Sequence, residues 1–262
     1  MTPHDLVIVR DDRGVRTITL NRPDSRNALN VALLRALRAA LADVAVDPEV
    51  RALVVTGAGK SFCAGADVKE WGETAAGGGD GADWVEQAHA LVCELADLER
   101  PTVAVLNGAA VGAGLDLALA CDFRVAADDA RFACAYTWIG YPPDCGGTWL
   151  LPRLVGLEAA KRFVFSGAYW DAATALARGL VSEVVERPRL EEAGAELARS
   201  FAEGPTVALG HAKRLLHTST GRTLREQLAA EAEAGHACAA TADHREALNA
   251  ALERRAPVFT GS

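Results

Sequence analysis

Residues 107–122, NGAAVGAGLDLALACD, combine the residue types and spacing needed to hold a negative charge. Gly108, Gly112 and Gly114 allow a tight turn and a close approach of the backbone to a ligand. From Ala113 onward, Ala and Leu at helical spacing predict a helix. The free N–H groups of its first turn, at the positive end of the helix dipole, suit an anion or an oxygen that becomes one during a reaction. Close packing of helix on sheet is the competing use of so many small residues. Asp116 weighs against packing alone, because a carboxylate one turn into an apolar helix needs a reason. A dinucleotide fingerprint does not fit: Leu117 stands where G-x-G-x-x-G requires Gly or Ala.

The turn must be delivered by a strand, and 102–106 is a short apolar run of the right length. The same device occurs earlier. Residues 52–56 predict a buried strand turned by Gly57-Ala58-Gly59, and the small residues from Phe62 to Asp67 predict a second turn leading into a short helix. Gly59-Lys60-Ser61 resembles the end of a phosphate-binding loop, but Val54 occupies the position of the required upstream glycine, which rejects that motif.

Elsewhere, 6–10 and 15–20 alternate around Asp12-Arg13-Gly14 and predict a hairpin. Asn30 is placed to cap a helix over 31–46 with Leu33, Leu34, Leu37 and Leu41 on one face. The Gly- and Ala-rich segment 73–83 predicts a surface loop, either a solvated spacer or a flap beside a pocket. Residues 84–98 predict an amphipathic helix, and 122–126, 131–133 and 181–185 predict strands. The Pro- and Gly-rich tract 136–148 suits a pocket wall, and the remaining 149–254 reads as mainly helical. A composition shift near Pro188 divides the chain into an α/β core, 1–188, and a helical portion, 189–262.

With 262 residues, half of them hydrophobic, the chain can bury a large core. A net charge of -8 argues against nonspecific nucleic-acid binding. No apolar run is long enough to span a membrane, and residues 1–10 lack a signal-peptide pattern. The six cysteines contain no C-x-x-C and are expected to act as small buried hydrophobes in a reducing cytoplasm. The histidines lack H-x-x-x-H spacing, so no metal site is expected.

The segments NRPDSRNALN, VVTGAGKSFCAGADVK, RPTVAVLNGAAVGAGLDLALACDFRVAADDARF, PPDCGGTWLLPRLVG and GLVSEVV together resemble the crotonase superfamily, the enoyl-CoA hydratase/isomerase fold, over nearly the whole chain. PDCGGTWLLPRLVG is especially similar to the ring-isomerising branch of phenylacetate degradation. The resemblance implies a spiral of ββα units with a helical C-terminal trimerisation region, usually a dimer of trimers. It also implies an acyl-CoA thioester substrate, with coenzyme A as part of that substrate and no separate cofactor. Its oxyanion hole maps to the N–H groups of Ala66 and Ala113. Asp116 and Tyr136 stand where the family often carries two glutamates, which argues against simple hydration. Asp144 falls where dienoyl-CoA isomerases and the ring-isomerising branch place a proton-transferring aspartate; by itself it reads as a turn residue after Pro142-Pro143. Tyr136 is a pocket wall, a phenolic hydrogen-bond donor or part of a decarboxylase-type site. The CoA contacts map to Arg26, Ala28, Ala64, Ala66, Asp67 and Val68. Lys69 is either a phosphate contact or a solvated side chain, and Arg254 is a basic group supplied by a neighbouring subunit. The expected activity is movement of a carbon–carbon double bond in an enoyl- or dienoyl-CoA. A hydratase using Asp116 and a catalytically weak acyl-CoA-binding protein are the alternatives.

Overall fold

The computed structural model describes residues 6–76 and 81–262, and its repeating unit is a pair of strands. β1 (Val7–Asp12) and β2 (Val15–Leu20) form the hairpin; Arg13 and Gly14 at its tip have φ of 47° and 78°, the two positive values a two-residue turn needs. β3 (Ala52–Gly57) is then followed by β4 (Ser61–Cys63), β5 (Thr102–Leu106) by β6 (Ala109–Val111), and β7 (Phe123–Ala127) by β8 (Arg131–Ala133). β9 (Trp170–Asp171) and β10 (Glu183–Val185) come later. The first strand of each pair joins a six-stranded sheet in the order β1-β2-β3-β5-β7-β10, and the second joins a four-stranded sheet, β4-β6-β8-β9. From β2 to β10 the large sheet is parallel, so each pair advances the chain one step along both sheets.

Strand alternation sorts the core. Leu53, Val55, Ala104, Leu106 and Ala126 face the main core with Ile18 and Leu20. Val54, Val103, Val105 and Val125 face the other way and are covered by Leu190, Ala193 and Ala198. Both faces are therefore buried, which is why these strands read as continuous apolar runs.

Eleven helices of the α type complete the described residues: α1 (Val31–Val46), α2 (Val68–Ala76), α3 (Ala82–Asp97), α4 (Ala113–Leu119), α5 (Gly147–Val155), α6 (Leu157–Ser166), α7 (Ala172–Ala177), α8 (Leu190–Ala202), α9 (Thr206–Thr218), α10 (Leu224–Ala239) and α11 (Ala242–Glu253). Asn30 caps α1 by accepting the Leu33 N–H at 2.9 Å, and Leu33, Leu34, Leu37 and Leu41 are all buried. Each such side chain stabilises the fold by about 1.5–3 kcal/mol relative to exposure. α8 packs flat on the large sheet, and at Gly194 an added Cβ would overlap Val105. Leu216, Leu224, Leu228, Leu248 and Leu252 remain exposed on the C-terminal helices of the single chain.

Three expectations change. Residues 73–76 belong to α2 rather than to a loop, and α3 begins at Ala82, before Trp84; Ala75 and Ala76 are strong helix formers and carry the helix on to the glycines. The rest of the proposed loop, 77–80, lies outside the described residues, as do 1–5. Phe62 and Cys63, and Ala109 to Val111, are strands rather than parts of turns, because β4, β6 and β8 pair with one another. Four cysteines are buried as expected, but Cys93 is exposed and Cys238 half-buried. Among the described residues no helix is long and apolar enough to cross a membrane, and no group of His, Cys, Asp and Glu could hold a metal ion.

Candidate active site

β4 and β6 run parallel as neighbours, so the chain leaves both at the same edge of the small sheet. From β4 it passes through Ala64-Gly65-Ala66-Asp67 into α2, and from β6 through Gly112 into α4. The two turns press together. A Cβ on Gly65, whose φ is 93°, would lie 2.7 Å from the Val111 carbonyl oxygen and 3.6 Å from the Ala113 nitrogen. One on Gly114 would lie about 2.6 Å from the Cys63 side chain. Small residues are required here by this contact, so the close packing of the turn accounts for them. Ala113 is the first residue of α4, and Gly112 before it has φ 53°. Leu29 bonds the residues on either side of Ala66, donating to the Gly65 carbonyl at 2.8 Å and accepting from the Asp67 N–H at 3.0 Å. The Ala66 N–H is thereby turned away from Leu29. Among the described residues, neither the Ala66 nor the Ala113 N–H donates a hydrogen bond.

Beside these turns lie two carboxyl groups. Asp116, on α4, is 1% exposed. Tyr136, from a 3-10 helix over Ala135–Ile139, donates its hydroxyl to Asp116 Oδ2 at 2.6 Å. Gly147 opens α5 directly against the same carboxylate, where an added Cβ would overlap Asp116 Oδ1. Burial raises the Asp116 pKa from 3.8 to about 7; the Tyr136 hydroxyl opposes the rise, the Asp144 charge adds to it, and the Gly147 N–H opposes it.

Asp144 is half-buried in the loop before α5. Its Oδ1 accepts a weak hydrogen bond from the Cys145 thiol at 3.5 Å, and its Oδ2 is buried without a partner among the described residues. Burial raises this pKa too, with the Cys145 thiol and then the His89 charge opposing the rise. Of two neighbouring carboxyl groups, the less buried ionises first and its charge keeps the proton on the other. Both carboxyl groups are therefore held above the ordinary carboxylate value, and Asp116, the more deeply buried, is raised the further of the two. Burial also keeps the Tyr136 phenol well above its ordinary value, so it is a donor and not a base.

One stability effect follows. Folded Asp116 binds a proton more tightly than the unfolded chain, where the ordinary value is 3.8. Its protonated form is the stable one, so this contribution is fully present below about pH 4 and declines as pH rises towards 7. Asp116→Asn removes the titration while keeping an acceptor for Tyr136. Thermal melts from pH 5 to 8 should show the wild type losing stability relative to the variant, by at most about 3 kcal/mol over that range. Parallel Tm profiles would contradict the shift.

Residues 26–29 run along the first turn: the Ala64 N–H donates to the Arg26 carbonyl at 3.0 Å, next to the Leu29 bonds. Arg26, Ala28, Ala64, Ala66, Asp67, Val68 and Lys69 thus form one continuous patch joined to the Ala66 turn. Arg26, Val68 and Lys69 are exposed, and Asp67 pairs with Arg22 at 2.9 Å. Asn27, which the sequence reading did not single out, is fully buried and anchors the patch. Its amide donates to the carbonyls of Ala58, Ser61 and Phe62 and accepts from the Arg22 N–H. Arg254 caps α11 with φ 58° and is exposed; its backbone N–H bonds to the Ala251 carbonyl within the same helix end.

The site thus joins paired glycine turns of a two-sheet spiral, N–H groups unbonded among the described residues, and two neighbouring carboxyl groups, one fully and one half-buried. Residues 10–262 match the model of the enoyl-CoA hydratase/isomerase family, and the chain belongs to that family. It is 37% identical over 259 residues to 1,2-epoxyphenylacetyl-CoA isomerase of Escherichia coli, covering 98% of this chain and 99% of that one. It is 38% identical over 257 residues to 2,3-dehydroadipyl-CoA hydratase of the same organism, with 98% and 99% covered. The solved enoyl-CoA hydratase of Bacillus anthracis superposes with a TM-score of 0.91 at 33% identity, covering 98% of this chain and all of that one. Relatives thus carry both isomerase and hydratase names.

Proposed function

We propose that this protein is an acyl-CoA isomerase that moves a carbon–carbon double bond in an enoyl- or dienoyl-CoA. The observation that carries this reading is the contrast between the two aspartates: Asp116 is engaged by Tyr136, whereas Asp144 Oδ2 has no partner among the described residues. The thioester oxygen accepts from the Ala66 and Ala113 N–H groups. Asp144 takes a proton from a carbon conjugated with the carbonyl, and the electron pair moves on to the thioester oxygen as an enolate. Asp144 then returns the proton to a different carbon, so the double bond shifts while composition is unchanged. Each preorganised donor contributes about 3–4 kcal/mol to stabilising the developing charge. Along the patch, Arg26, Ala28, Ala64, Asp67 and Val68 hold the nucleotide part of CoA mainly through backbone atoms, and Lys69 reaches a phosphate.

Hydration is the second reading, supported by the hydratase relative and by an Asp116 carboxyl poised near neutrality. It needs a group to activate water, and a phenol held in its neutral form is a poor one. An absorbance and mass assay with 2-enoyl-, 3-enoyl- and 3,5-dienoyl-CoA separates the readings. An absorbance change at constant mass is the expected result. Gain of one water would favour hydration, and binding without turnover would favour an acyl-CoA-binding protein.

A further inference from the structure

The loop that carries Asp144 is rich in Pro and Gly and has little regular structure from 141 to 146. A side chain from a distant helix holds it at the residue that matters. His89, on α3, places Nε2 2.6 Å from the Asp144 main-chain carbonyl oxygen. A carbonyl only accepts, so Nε2 carries the hydrogen in this contact. α3 is itself fixed to the core by Trp84, Ala88, Leu91 and Leu95, which are buried, while the His89 side chain is exposed. The bond therefore transfers the rigidity of a packed helix to an irregular loop.

The carboxyl group needs that support. Among the described residues its Oδ2 has no hydrogen-bond partner and its Oδ1 accepts only a long contact from a thiol, with Tyr136 the smallest influence, so side-chain hydrogen bonds do little to aim it. Asp116 from α4, Tyr136 from the 3-10 helix, Cys145 and His89 are the titratable groups that act on it. Of these, His89 grips its main chain.

We propose that His89 is a positioning residue for the proton-transferring base, holding the Asp144 carbonyl so that the carboxylate stands at the correct distance from the substrate carbon. This rests on the assignment of Asp144 as the base. The effect is on geometry, where a displacement of about 1 Å can reduce the rate a hundredfold.

Steady-state kinetics with the enoyl-CoA that the enzyme turns over provide the test. His89→Ala should lower kcat by about tenfold to a hundredfold and leave KM and Tm nearly unchanged, since an exposed side chain away from the CoA patch is removed. His89→Gln, which keeps an N–H donor of similar reach, should recover most of the loss. In an Asp144→Asn background, His89→Ala should cause no further fall, because its partner's function is already gone. A wild-type kcat for His89→Ala, a Gln variant as slow as the Ala variant, or losses that add in the double variant would each overturn the proposal. The two assignments fail differently. A slow Asp144→Asn with a fast His89→Ala removes only the positioning role, whereas a wild-type rate for Asp144→Asn removes both.

Discussion

Asp144→Asn is expected to slow isomerisation by about a hundredfold or more, because it preserves size and loses basicity. CoA-thioester affinity should change little, since the patch proposed to hold the nucleotide lies at residues 26–28 and 64–69. Solvent deuterium incorporation at the substrate carbons should fall with the rate, as the same proton transfer produces both. Asp116→Asn is the informative comparison. Asp116 is fully buried and engaged by Tyr136, so its variant should be less damaged than that of Asp144. The wild-type pH profile carries a related signature. Burial raises Asp144, and a base must be ionised to act, so activity should climb with pH over a range above the ordinary carboxylate value and then level. An Asp144→Asn enzyme with wild-type rate and wild-type exchange would move the base assignment to Asp116.

Ala113→Pro is expected to reduce turnover by at least about a hundredfold while the protein still folds. The fold should survive because Ala113 is the first residue of α4 and its N–H makes no bond among the described residues. Proline is well accepted at that position, where its fixed φ matches the helix and the missing N–H leaves no helical bond unmade. The substitution thus deletes one of the two proposed oxyanion donors and puts a ring carbon where the thioester oxygen is proposed to sit. Ala113→Gly should retain most activity, since the backbone donor stays. Circular dichroism and a thermal melt establish folding, and a single-turnover assay then reads the chemistry. Normal turnover by a folded Ala113→Pro protein would remove Ala113 from the oxyanion hole.

Much of this chain was readable locally. The Asn30 cap, the leucine face of α1, the Arg13-Gly14 turn and the small-residue turns at 64–67 and 112–114 each depend on residues within a few positions of one another. Their identities therefore carry the signal directly, and the combination of segments was specific enough to resemble a family. β4 and β6 were not readable in this way. Each is three residues long, and neither has a period to detect; they are strands because they lie beside one another and beside β8.

The same limit governs the chemistry. Asp144 and Asp116 could be named from the sequence, but nothing local distinguishes an engaged carboxyl from a partnerless one. Tyr136 reaches Asp116 across 20 residues, His89 reaches Asp144 across 55, and Asn27 gathers three carbonyls from 58–62. Proton affinity depends on how much water the assembled core removes and on which charges it brings close. Both are properties of packing between distant segments, so the contrast between the two aspartates arises only when the spiral closes around them.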